Sequence, residues 1–258
     1  MTAGSSAIPL IPGPWLALDE SDAQAFLARL NSVLIRSYGT KAFTQHLPIS
    51  GLRVMPLSFY PGWLLAEGEA QLTPEESGTF DVLYGPGFMW VINGESEVIY
   101  DVNTGSVPEL PGLNANATSG DTAAPPSMRF LPSALTELDT TVTGPDYLRF
   151  FCSSVWGEDG PFWLVEAPDA PILQTANLPD DSWRAQIKPI KMTRVDDALI
   201  ATATVCYIGT LYSATFKIEN GGVVSMEDDD VLTADVIPME KYHSPFRNLR
   251  SAGRSVEA

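Results

Sequence analysis

A chain of 258 residues with a hydrophobic share of 45% and a charged share of 18% can bury a substantial core, which excludes wholesale disorder. Fifteen Lys and Arg against thirty-two Asp and Glu leave a net charge of -17. Repulsion from phosphate then excludes sequence-independent nucleic-acid binding and disfavours an anionic membrane surface.

No apolar run approaches the roughly 20 residues of a membrane-spanning helix. The opening stretch lacks a basic region and is broken by Pro9, Pro12 and Pro14, so it does not read as a secretory signal, and the expected location is cytoplasmic. Cys152 and Cys206 each fall in a run that reads as an apolar strand, where a free thiol behaves as a small core hydrophobe. Sequence does not say whether the two are near enough to pair.

In chain order, residues up to Leu18 read as an extended arm whose Ile8, Leu10, Ile11, Trp15 and Leu16 lie along the chain's own domain or a second subunit. Ser21 and Gln24 match a capping box. Ala23, Phe26, Leu27, Leu30, Val33, Leu34 and Tyr38 then recur at helical spacing as far as Gly39, so the pattern predicts an amphipathic helix over residues 22–38 packed on a sheet. From Leu52 the period becomes that of strands, with Val54–Tyr60 and Trp63–Glu67 on either side of a Pro61-Gly62 reversal. A loop over Thr73–Gly78 and a strand over Phe80–Tyr84 follow. Asn93-Gly94, whose residues tolerate positive φ, predicts a hairpin joining Phe88–Ile92 to Ser96–Val102.

Gly105–Ser127 has no period and is rich in Gly, Pro, Ser, Asn and Ala, so it reads as a linker or a long surface loop. A short helix is expected over Ala134–Leu138. The densest aromatic stretch, Asp146–Glu166, predicts a second hairpin: Tyr147, Phe150, Phe151 and Val155 lead into a turn over Gly157–Gly160, and Phe162–Val165 lead out. A meander follows over Ala198–Ile208, Leu211–Glu219 and Gly222–Met226, its buried face carrying Leu199, Ala201, Ala203, Val205 and Tyr207. The expected fold is α+β, mainly antiparallel β-sheet built from hairpins, with one long amphipathic N-terminal helix packed on a sheet. Residues 1–104 form an N-terminal subdomain, 105–127 the linker and 128–258 a C-terminal subdomain. Trp63–Glu67 is similar to Trp163–Glu166, a hint of two related halves.

Motifs that carry chemistry are missing. His46 and His243 stand apart from other metal ligands in sequence, so neither a metal nor a cofactor is expected. There is no phosphate loop, dinucleotide fingerprint or nucleophile elbow. Glu227–Asp230 lacks the spacing of a calcium loop and reads as a solvated strand end. The one constellation singled out is the turn where Glu158 and Asp159 lie between Trp156 and Trp163. Indoles give large amphipathic anchors, and carboxylates beside them select cationic or hydroxylated partners.

The leading expectation is a non-catalytic binding or assembly protein that engages a protein partner or its own copy through a β-rich aromatic and acidic surface that includes these four residues. The alternatives are a hydrolase of a neutral or cationic small substrate such as a glycan, with Glu158 and Asp159 as acid and base, and an acidic inhibitor of a basic site.

Overall fold

The computed structural model describes residues 9–38, 43–109, 130–170, 173, 182–234, 236 and 245–251. The fold is α+β with antiparallel strand pairing throughout the described sheets. After a two-residue strand β1 (Leu16–Ala17) comes helix α1 (Glu20–Tyr38). Its cap is Asp19 rather than Ser21: the Asp22 N–H donates to Asp19 Oδ1 at 2.9 Å, and the Ser21 hydroxyl donates to the same carboxylate. Gln24 turns to Glu20 instead of closing a box. A carboxylate outcompetes a hydroxyl for the first free amides because it also opposes the positive end of the helix dipole.

Four strands follow: β2 (Ile49–Pro56), β3 (Leu64–Thr73), β4 (Glu76–Gly85) and β5 (Phe88–Val91). The loop expected over Thr73–Gly78 is instead a tight hairpin, because the Gln71 amide reaches over to the carbonyls of Thr73 and Glu76 and replaces turn hydrogen bonds. On this sheet Ala66, Phe80, Val82, Met89 and Val91 face Leu30, Val33 and Leu34 of α1, while Leu65, Leu83 and Phe88 face a second, larger core.

Asn93-Gly94 is a turn, but no hairpin follows it. Ser96–Thr104 is a helix, α2, that buries Ile99, Val102 and Asn103 and stops at Gly105 with φ 77°. Val98, Ile99 and Val102 favour a strand by propensity; the three- and four-residue spacing of the buried positions and the left-handed glycine decide for the helix. Residues 131–138 form no helix either. Their amides are claimed from outside, Leu131 by Val107, Ala134 by Val102 and Thr136 by Phe59, which leaves an extended strap across the molecule. Of the expected linker, only residues 105–109 lie within the described set.

The largest correction falls on Asp146–Glu166. Its first half is helix α3 (Thr143–Ser154), with Tyr147, Leu148, Phe150, Phe151 and Cys152 all buried. Only Thr143, Asp146 and Arg149 interrupt its burial, a polar stripe so narrow that the aromatics read as a strand run. Only fragments of the hairpin remain: β6 (Trp156–Gly157) pairs with β7 (Gly160–Pro161), and β8 (Trp163–Leu164) joins another sheet.

That second sheet contains β9 (Lys191–Val195), β10 (Ala198–Tyr207), β11 (Thr210–Ile218) and β12 (Val224–Thr233) in the order β12-β11-β10-β8, with β9 also on β10. Leu199, Ala201, Ala203 and Val205 face the large core as expected, whereas Tyr207, expected with them, is half-buried and stacks on Phe162. The opposite face is not wholly solvated, because Cys206 packs with Val165, Trp183 and Ile187 in a third cluster. Finally β13 (Arg247–Ser251) returns to pair with β4 of the first sheet. The large core joins the inner faces of both sheets with α2 and α3. The N-terminal arm also docks on its own chain, with Leu10 and Ile11 buried in that core.

Candidate functional site

The four residues singled out in the sequence occupy one turn and face different neighbours. Glu158 and Asp159 are exposed at its tip. Trp156 is half-buried, donates from its indole N–H to the Ser153 carbonyl at 3.2 Å, and lies against Gly94, where a Cβ would come within 3.4 Å of its ring. Trp163 sits opposite Cys206 in the second sheet and packs on the third cluster. Tyr207 pins the turn: its ring stacks on Phe162 at 4.4 Å, and its hydroxyl accepts the Asp159 N–H at 3.1 Å. The carboxylates therefore come together, while the indoles pack on separate surfaces.

Two clusters of chemistry-bearing residues escaped the sequence reading. The first is a buried layer of charge on the first sheet. Register places Arg53 opposite Glu67 and Glu67 opposite Asp81, and β13 adds Arg247, which is 0% exposed. Arg247 Nε donates to Asp81 Oδ2 at 2.5 Å and its Nη2 to Glu67 Oε1 at 2.7 Å. Arg53 Nε donates to Glu67 Oε2 at 2.7 Å, and the Leu10 amide also donates to Glu67. Burial works against the Arg247 charge, yet Asp81 and Glu67 outweigh it and hold its pKa above the ordinary value. Burial also raises Glu67 to about 7, against the pull of Arg247. A carboxylate inside an otherwise apolar strand, as at Ala66-Glu67-Gly68, is the signal that a cation must arrive from elsewhere.

The second cluster is β12. It is the last strand of its sheet, so one edge carries backbone N–H and C=O groups with no neighbouring strand among the described residues. Glu227, Asp228, Asp229 and Asp230 are exposed along it, flanked by Met226 at 47% and Val231 at 63% exposure. The sequence suggested this strand only as far as Met226. Aspartate has low strand propensity, and the remainder forms because β11 supplies partners from Phe216 to Leu211, with two register shifts on the way.

Both cysteines are buried, and neither is in a disulfide. Cys152 lies in α3 rather than in a strand, because the run around it is helical, and burial pushes its thiol up to about 12. Cys206 faces the third cluster while Cys152 faces the large core. Among the described residues no group of His, Cys, Asp and Glu is arranged to hold a metal ion, and no helix is long and apolar enough to cross a membrane. No family model, curated protein or solved structure matches the chain.

Proposed function

We propose that the chain is a non-catalytic binding or assembly protein that uses β12 as a docking strand for an extended, basic segment of a protein partner. The observation that carries this reading is the strand itself, ten residues at a sheet edge with four consecutive exposed carboxylates. An added strand gains affinity from main-chain hydrogen bonds and specificity from alternate side chains. Lys or Arg on that strand would meet carboxylates on both faces of β12, and the net charge of -17 would speed encounter.

Pairing of β12 with its own copy is disfavoured by the same charges, since two acidic strands would lie side by side. The first sheet offers less, because the amphipathic N-terminal helix covers one of its faces. At the far border of the second sheet, the turn of Trp156, Glu158, Asp159 and Trp163 offers a further acidic contact beyond β8. Two buried cysteines not joined in a disulfide suit a reducing, cytoplasmic setting.

The test uses the full chain and two synthetic peptides, one alternating Lys with Val and one alternating Glu with Val. The basic peptide is expected to bind, to slow amide exchange in residues 224–233 and to weaken steeply as salt is raised. Binding that spares β12, equal binding of the acidic peptide, or indifference to salt would each overturn the proposal.

A further inference from the structure

A cleft of about 240 Å³ opens on the side of the second sheet away from the Trp156–Trp163 turn, between the 131–138 strap, the end of α2, the β9–β10 turn and the β11–β12 turn. We infer that it is a binding site for a small aliphatic amine. This site is separate from the β12 edge and does not depend on the reading given above.

The floor is apolar and fixed in place. Leu138, Leu199 and Ile218 are buried there. Beside them Asn103, 2% exposed, is held by a chain of hydrogen bonds: the Tyr60 hydroxyl donates to Asn103 Oδ1 at 2.5 Å, and Asn103 Nδ2 donates to the Tyr147 hydroxyl at 2.7 Å. Tyr147 donates in turn to the Gly222 carbonyl at 2.6 Å. Ser133 of the strap closes the set by donating to the Asn103 carbonyl. Gly222 is required at this point, since its φ is 77° and a Cβ would stand 2.5 Å from Asn103 Nδ2. Five segments of chain thus hold one preformed hollow, which lowers the ordering cost of binding.

The rim decides the charge of the occupant. Arg194 donates to the Leu138 carbonyl at 2.6 Å and lies 3.8 Å from Glu137. Glu219 is answered by Lys217, which lies outside the lining, at 2.5 Å. Asp197, the remaining carboxylate of the lining, has no ion-pair partner among the described residues. Three carboxylates against two cations leave one negative charge to be answered, and an ammonium group answers it while its hydrocarbon chain rests on the floor. No aromatic ring lines the cleft, so it lacks the platform a sugar ring prefers. Its volume falls below the roughly 300–1,000 Å³ of sites for drug-sized ligands, which limits the occupant to a short chain.

The experiment titrates the full chain at neutral pH with n-butylamine, n-butanol and butyrate, following backbone amide shifts. Butylamine is expected to saturate shifts at Asp197 and Asn220–Gly222, and butanol to bind more weakly. Asp197→Asn, an exposed change that keeps the side-chain shape, is expected to weaken butylamine by roughly tenfold without altering the melting temperature. Butyrate binding at least as well as butylamine, butanol matching it, shifts confined to other residues, or unchanged affinity in Asp197→Asn would each overturn the inference.

Discussion

The two sheets handle charge in opposite ways. The first gathers Arg53, Glu67, Asp81 and Arg247 into one layer with little or no exposure, whereas the second displays Glu227–Asp230 in solvent along an edge strand. Buried charges pay a large desolvation cost and persist only when every partner is in place; exposed ones cost almost nothing and remain available. The first arrangement ties the two ends of the chain to one sheet, since Glu67 holds both the Leu10 amide and Arg247. The second ties nothing down. Charge is structural where it closes the fold and free to act where the sheet ends.

The sharpest way to break this contrast is to remove a cation from each environment. Arg247→Met leaves Glu67 and Asp81 buried without their main partner, and a loss of about 3–5 kcal/mol is expected in urea unfolding. Arg149, which binds Glu166 and Asp146 from a side chain 20% exposed, provides the comparison. Its partners Asp146 and Glu166, 29% and 26% exposed, can recover part of their hydration, and Arg149→Met should cost less, about 1 kcal/mol. Equal losses in the two variants would show that burial does not set the difference.

A smaller effect is expected where one exposed carboxylate still has a structural duty. Asp139 accepts the N–H groups of Thr141 and Val142, both at 2.6 Å, immediately before α3. Those bonds, the Val142 one foremost, hold its carboxyl well below the usual range. Asp139→Ala should therefore lower stability by about 1 kcal/mol, as loss of a cap does, and Asp139→Asn by less, because the amide oxygen can still accept.

The pH dependence should separate the environments by sign. Glu67 is raised by burial from 4.5 to about 7, so the folded chain holds a proton that the unfolded chain releases, and its contribution is lost as pH rises from about 4.5 through 7. Burial also opposes the charge of Glu166, but hydrogen bonding and attraction from Arg149 prevail and lower its pKa. Its contribution is present above 4.5 and lost as pH falls through the lower folded value. Unfolding measured from pH 2 to 8 should show Glu67→Gln removing a falling slope between about 4.5 and 7 and Glu166→Gln removing a rising one below about 4.5. The same sign for both would contradict the burial argument.

Much of the first sheet and the second-sheet meander was legible because their strands are rich in apolar and β-branched residues and their turns carry Pro61-Gly62 and Gly209, although β2 runs over Ile49–Pro56 rather than the expected Val54–Tyr60. Helix α3 was not. Tyr147, Phe150 and Phe151 with their buried neighbours leave only the narrow stripe of Thr143, Asp146 and Arg149 to set a period, although Pro145 and Asp146 in its first turn are helix-start signals. The buried charge layer was invisible for another reason. Arg247 meets Asp81 across 166 residues, and no local pattern encodes a contact so distant. The Trp156–Trp163 turn was located correctly as a turn, but which way each indole faces depends on Gly94 and Cys206, residues that arrive from other elements.

The smallest effect per residue on stability belongs to β12, and there the contrast becomes a test of function. Asp228, Asp229 and Asp230 face solvent, so replacing all three with Ser should change unfolding free energy by no more than about 0.5 kcal/mol per site. The same variant should lose binding of the alternating Lys–Val peptide and its salt dependence. It should also begin to self-associate, because an uncharged edge no longer repels a second copy. If the variant instead stays monomeric, the carboxylates are not what keeps the edge open. The two register shifts between β11 and β12, which twist an edge away from flat pairing, would then carry that role, and partner selection would rest on backbone shape rather than charge.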